Sequence, residues 1–326
     1  MKQAIALLLM QGLCVTASFG ANSRFIASFT THVPARSDLE VRWNAPTNKL
    51  PQSIWVYHLL PRKLSPEIIS SLMVACSFTS KEATTNGDLL ICRNSDGSRE
   101  LRLSWPWGVI EYTTPEKFSV TNLVKDVPST NEAVKLAEKL LPELGINIAD
   151  LVKRENSSAP EFHPSEWGRT YFIGTNAIQN TEACEVRFRR VIDGLEFISL
   201  GTGGDGEIKF GSHGEVTWIL ITWRNIERSK LYATLAPEKM IQSIREGKAI
   251  QGGVPMKFGD IDWRTVKSVT IHTVKACYFA GYDPFAPSDW LEPYAALWTT
   301  VVTDHGSVDV GIDCPIIDEN QPVERQ

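Results

Sequence analysis

Residues able to do chemistry are thinly spread in this chain of 326 residues. The six histidines, His32, His58, His163, His213, His272 and His305, stand apart. No H-E-x-x-H or H-x-H pair brings two imidazoles to one metal ion, so no metal site and no metallohydrolase are expected. Two carboxylates can hydrolyse a glycosidic bond, and partners of that kind meet only in the fold. Glu111, Glu185, Glu196 and Glu292 are the candidates, and sequence does not separate them. The run Thr202-Gly203-Gly204-Asp205-Gly206-Glu207 suggests a phosphate or calcium loop. A phosphate loop opens a helix, whereas the β-rich Ile208-Lys209-Phe210 follows here. Calcium needs more oxygen ligands than Asp205 and Glu207 supply. Gly211-Ser212-His213-Gly214 lacks the spacing of a nucleophile elbow and reads as a hairpin turn. No catalytic residue and no cofactor are assigned.

The amino terminus sets the expected compartment. Lys2 precedes an apolar stretch from Ala4 to Val15, and small residues near 15–20 offer a cleavage site. That pattern predicts a signal peptide over 1–20 and a secreted or periplasmic protein. The apolar run is shorter than the roughly 20 residues needed to span hydrocarbon, and no later segment is apolar enough to cross a membrane. Beyond Cys14, the cysteines are Cys76, Cys92, Cys184, Cys277 and Cys314. Export permits disulfides, with Cys76–Cys92 and Cys277–Cys314 as plausible pairs, although sequence does not fix connectivity. Small buried hydrophobes are the default reading. The net charge of −5, with basic residues scattered, argues against a nucleic-acid partner, which needs a concentrated positive patch.

The elements that must position any site read as follows. Ser53–Leu60 is rich in β-branched and aromatic residues and predicts a strand. Ser65-Pro66-Glu67 gives an N-cap, a first-turn proline and an acid at the positive end of a helix. Strands are expected over 88–93 and 100–114. Ser129 with Glu132 forms a capping box opening a second helix, which Gly145 stops. From Cys184 to Glu227 the chain reads as a β-meander, with Asp193-Gly194 as a tight hairpin turn pairing Ile192 with Leu195 and Phe188 with Ser199. Arg190 falls on the apolar face there and is expected to snorkel at the sheet rim. Pro237-Glu238 opens a third helix, followed by strands to Cys314 and a polar tail.

Helix followed by antiparallel strands, three times over, predicts an α+β fold of tandem helix-on-antiparallel-sheet units. The units are 21–125, 126–228 and 229–317, with 318–326 a disordered tail. Glu132 to Ile146, VRFRRVIDGLEF, HGEVTWILITWRN and the helix Pro237 to Gly247 resemble the tandem repeats of PepSY-type domains. They are also similar to YycH/YycI-type extracytoplasmic regulators, which lay a helix over a cystatin-like sheet. The resemblance spans roughly 128 to 315 and implies a non-enzymatic role: binding or restraining another exported protein or peptide. The alternative is a carbohydrate-binding protein or a glycan-active hydrolase of the cell exterior. Among the ten tryptophans, Trp105, Trp107, Trp218, Trp223 and Trp298 are expected in the core, while Trp43, Trp167, Trp263 and Trp290 lie near loops. The expected binding surface is Arg187, Arg189, Trp167, Trp263 and Trp290.

Overall fold

The computed structural model describes residues 31–46, 50–114, 123–173, 176–199, 204–251, 261–280 and 289–323. The expected signal peptide and Cys14 lie outside these residues. In chain order the first elements are β1 (Thr31–His32), β2 (Glu40–Trp43), β3 (Ser53–Leu60), α1 (Pro66–Ala75), β4 (Ala83–Asn86), β5 (Leu89–Arg93), β6 (Glu100–Ser104), β7 (Val109–Thr113) and α2 (Thr130–Glu143). Then come β8 (His163–Ile173), β9 (Asn176–Arg189), β10 (Val191–Ile192), β11 (Leu195–Ser199), β12 (Asp205–Phe210), β13 (Val216–Thr222), β14 (Asn225–Thr234) and α3 (Pro237–Arg245). The last are β15 (Ile250–Gln251), β16 (Val266–Ala280), β17 (Trp290–Thr303), β18 (Gly306–Pro315) and β19 (Ile317–Pro322).

The chain divides into two compact units. The smaller takes residues 1–49, 235–275 and 295–315. Its strands run β1-β15-β18-β17-β16, with β2 parallel to β16 through Val269↔Val41. Helix α3 buries Met240 and Ile244 and packs on β18 and β2. Cys314 and its neighbours Ile312 and Val310 alternate inward along β18, as the period of two requires.

The larger unit, 50–234 with 276–294 and 316–326, holds an eight-stranded antiparallel sheet ordered β4-β5-β6-β7-β13-β12-β9-β8. Each local signal for its helices is realised. Ser65 accepts a hydrogen bond from the Ile68 amide, and Ser129 with Glu132 forms the reciprocal box at the start of α2. Gly145 follows at φ +69, a left-handed conformation that needs glycine at low cost. One face of the sheet carries Cys92, Leu101, Leu103, Ile110, Tyr112, Ile219, Ile208, Phe210, Val186 and Phe188, all buried in one core with Leu72 of α1 and Ala137 and Leu141 of α2. Gly206 passes beneath the Phe188 ring, where an added Cβ would lie 2.1 Å from its tip.

Three expectations require correction. The fold is mostly β with two large sheets, rather than tandem helix-on-sheet α+β units. The reason is a long-range pairing: β7 joins β13, Ile110 opposite Ile221, so strands following α1 and strands following α2 build one sheet beneath both helices. The hairpin at Asp193-Gly194 is present, with Ile192 opposite Leu195, but it is short. Phe188 pairs with Gly206 of β12 rather than Ser199, because β11 leaves to run parallel to β16, Phe197 opposite Tyr278. Residues 318–322, expected in a disordered tail, belong to β19 and pair with β14.

Candidate functional site

The face of the eight-stranded sheet opposite the helices is charged. Period-two alternation puts Glu185, Arg187 and Arg189 of β9 on that side while Cys184, Val186 and Phe188 enter the core. On β12 the alternation E-I-K-F does the same: Glu207 and Lys209 face out, Ile208 and Phe210 face in. Registration then places Lys209 opposite Glu185 and Glu207 opposite Arg187.

These four side chains form a compact square. Arg187 Nε lies 2.5 Å from Glu185 Oε1 and 3.3 Å from Glu207 Oε2. Lys209 Nζ lies 3.4 Å from Glu185 Oε2 and 3.2 Å from Glu207 Oε1. The ammonium also sits 5.2 Å from the ring centroids of both Trp167 and Trp218, an attractive arrangement with the aromatic quadrupoles. Burial, then the neighbouring Glu185 charge, raises the Glu207 pKa, against the pull of Lys209 and Arg187. Asp205, two residues back on the same face, is pushed up to about 6 by burial. Burial likewise raises Glu111, farther along the face.

Across the sheet, Arg102 and Arg93 both pair with Glu100, and at the end of β9 Arg189 pairs with Glu196 of β11. Throughout, the cations stand above the anions. Side-chain exposure is 56% for Arg93, 40% for Arg102 and 48% for Arg189, against 16% for Glu100, 8% for Glu196 and 5% for Glu185 and Glu207. The outermost layer is therefore guanidinium, over a layer of buried carboxylate. At the β4 edge this face ends in an open depression lined by Lys81, Glu82, Thr84, Ile91, Arg93 and Ser95.

Of the expected surface residues, Arg187, Arg189 and Trp167 meet on this one face. Trp263 does not belong with them: it is buried in the smaller unit, where its indole N–H donates to Gln251 Oε1 at 2.8 Å. Trp290 is exposed on β17, tilted against the His58 ring at 4.9 Å between centroids. Trp107 and Trp298, expected in the core, are exposed at 39% and 46%, whereas Trp105 and Trp223 are buried as expected. Lys209, Glu207 and Trp218 were missed as site residues. Their signal was the E-I-K-F alternation, hidden when Asp205 and Glu207 are weighed as calcium ligands.

The carboxylate candidates scatter. Glu111 and Glu185 lie on the charged face, Glu196 on β11 and Glu292 on β17. Glu185 with Glu207 is a close acidic pair, but Arg187 and Lys209 both bridge it, occupying the gap where a sugar and a water would have to sit. Among the described residues no group of three or more His, Cys, Asp or Glu could hold a metal ion. Cys76, Cys92, Cys184 and Cys314 are free and buried, and Cys277 is buried with its thiol donating to the Tyr294 carbonyl. Burial pushes the Cys76 thiol up to about 12 and Cys92 to about 11, which keeps both protonated and poorly nucleophilic. Among the described residues no helix is long and apolar enough to cross a membrane.

No family model and no curated protein matches the chain. Solved structures that resemble it include an uncharacterised protein from Eubacterium rectale ATCC 33656, at TM-score 0.48 and 10% identity, covering 88% of this chain and 90% of that one. The Bacillus megaterium YpeB C-terminal domain resembles it at TM-score 0.32 and 11% identity, covering 81% of this chain and 97% of that one. Likenesses at this level define neither a family nor a function.

Proposed function

We propose that this is a non-enzymatic, exported binding protein whose charged sheet face takes an acidic segment of another exported protein or peptide. The observation that carries the reading is the layering of that face, with half-exposed guanidiniums above buried carboxylates. Arginine forks match carboxylates bidentately and lose less conformational freedom per bond than lysine, so such a layer favours acidic side chains or a chain terminus. The buried Glu185 and Glu207 hold Arg187 in place, which spares the partner part of the ordering cost. The stretch from Lys2 to Gly20, with its positive residue, apolar run and small residues, supports an extracytoplasmic setting.

Affinity purification of the mature protein from its native host tests the reading. The expected result is an acidic exported partner whose recovery falls as salt rises, because exposed charge contacts are screened. Recovery should also fall in Arg187→Ala with Arg189→Ala. Turnover of a polymer substrate by the purified protein, with no partner recovered, would overturn it.

A further inference from the structure

Three arginines of the larger unit are buried, and two of them, Arg62 and Arg190, keep a shielded donor without a partner among the described residues. Arg62 follows β3, Arg190 follows β9 and Arg224 precedes β14; each is at least nine-tenths buried. Arg62 donates from Nη2 to the Leu144 and Gly145 carbonyls at 2.8 and 2.9 Å, at the negative end of α2. Arg190 donates from Nη1 to the Arg224 carbonyl at 2.7 Å and stacks on Trp223, 5.0 Å from its centroid. Arg224 donates to the Leu59 carbonyl at 2.7 Å and to Asp289 at 3.2 Å. The Arg62 amide bonds to Trp105, and the Trp223 amide to Gly108, so the Trp105–Gly108 turn ties these positions together.

Carbonyls satisfy donors but do not cancel charge. Asp289, the carboxylate bonded to Arg224, is largely exposed, and Asp150 acts on Arg190 without a hydrogen bond between them. Arg62 Nη1 and Arg190 Nε are shielded from water and have no hydrogen-bond partner among the described residues. Burial and the Arg190 charge together lower the Arg62 pKa to about 10, which marks the two guanidiniums as mutually repelling neighbours. An uncompensated buried charge is costly, and a buried water would serve the free donors without neutralising them.

We propose that Arg62 and Arg190, supported by Arg224, bind a small oxyanion: phosphate, sulfate or a carboxylate. A tetrahedral or planar oxyanion supplies several acceptors and negative charge at once, matching buried donors left without a partner among the described residues.

Thermal melting of the whole protein at constant pH and ionic strength, in chloride, sulfate, phosphate or acetate, tests this. The expected result is a saturating rise in Tm of about 3 °C or more at millimolar oxyanion. General exclusion by sulfate instead grows without saturating at low concentration. Arg62→Gln and Arg190→Gln should lose the response, while Arg42→Gln in the smaller unit keeps it. A response to phosphate and sulfate alone assigns a phosphate-type anion; one that includes acetate assigns a carboxylate. Equal melting of the wild type in chloride and in every oxyanion would overturn the proposal, even if the arginine variants fail to fold. So would an undiminished response in folded variants.

Discussion

The two faces of the eight-stranded sheet are built by the same strands, one residue apart, and they do different work. Phe188 and Ile208 lie in a dry core under α1 and α2; Arg187 and Glu207, their chain neighbours, form part of a charged lattice. The apolar face gains stability from area removed from water, which is non-directional and tolerant of exchange. The charged face gains little, because desolvation of Glu185 and Glu207 offsets most of their attraction to Arg187 and Lys209. Under the proposed function, this costly, ordered polar layer beside a sufficient core serves recognition rather than folding.

The sharpest way to break this comparison is on the dry side. Phe188→Ala removes a fully buried ring and should cost about 3–5 kcal/mol in chemical denaturation. On the charged side, Lys209→Ala leaves two buried carboxylates facing one another and should cost about 3 kcal/mol. Replacing both Glu207→Leu and Lys209→Met should recover most of that loss, since well-packed apolar residues replace a buried pair at little cost. Non-recovery in the double variant would show that the lattice itself holds the fold.

A smaller effect follows from Asp205. Its folded pKa of about 6 lies above the unfolded carboxylate value, so the native state binds more protons. Its contribution to stability is therefore fully present below pH about 4 and lost as pH rises through about 6. Asp205→Asn should flatten that slope and raise stability above pH 7 by about 2 kcal/mol, measured as Tm against pH. A gain of the same size at pH 4 would contradict the assignment.

Much of this was legible in the chain. Capping boxes, first-turn prolines and the alternation of β9 are local, and they gave helices and strand faces correctly because i, i+3 and i, i+2 relations suffice. Arg187 and Arg189 share a face for the same reason, whereas Trp167, expected near a loop, joins them from within β8. What could not be read was pairing between distant strands: nothing near Ile110 names Ile221 as its neighbour, and that one junction merges two expected units into one sheet. Arg190 departs from its expected position for a similar reason. Its seat is made by Trp223 and the Arg224 carbonyl, more than thirty residues away, so it is buried where snorkelling was expected.

On the proposed function, the charged face prefers acidic partners although the whole chain carries a net charge of −5. Fluorescence anisotropy with labelled oligo-glutamate and oligo-lysine peptides at low ionic strength tests it most directly. The glutamate peptide should bind, more weakly as salt rises, and binding should be lost in folded protein carrying Arg93→Gln with Arg189→Gln, below its own melting transition. Preference for the lysine peptide, as net charge alone would dictate, or binding unaffected by the two substitutions, would contradict it.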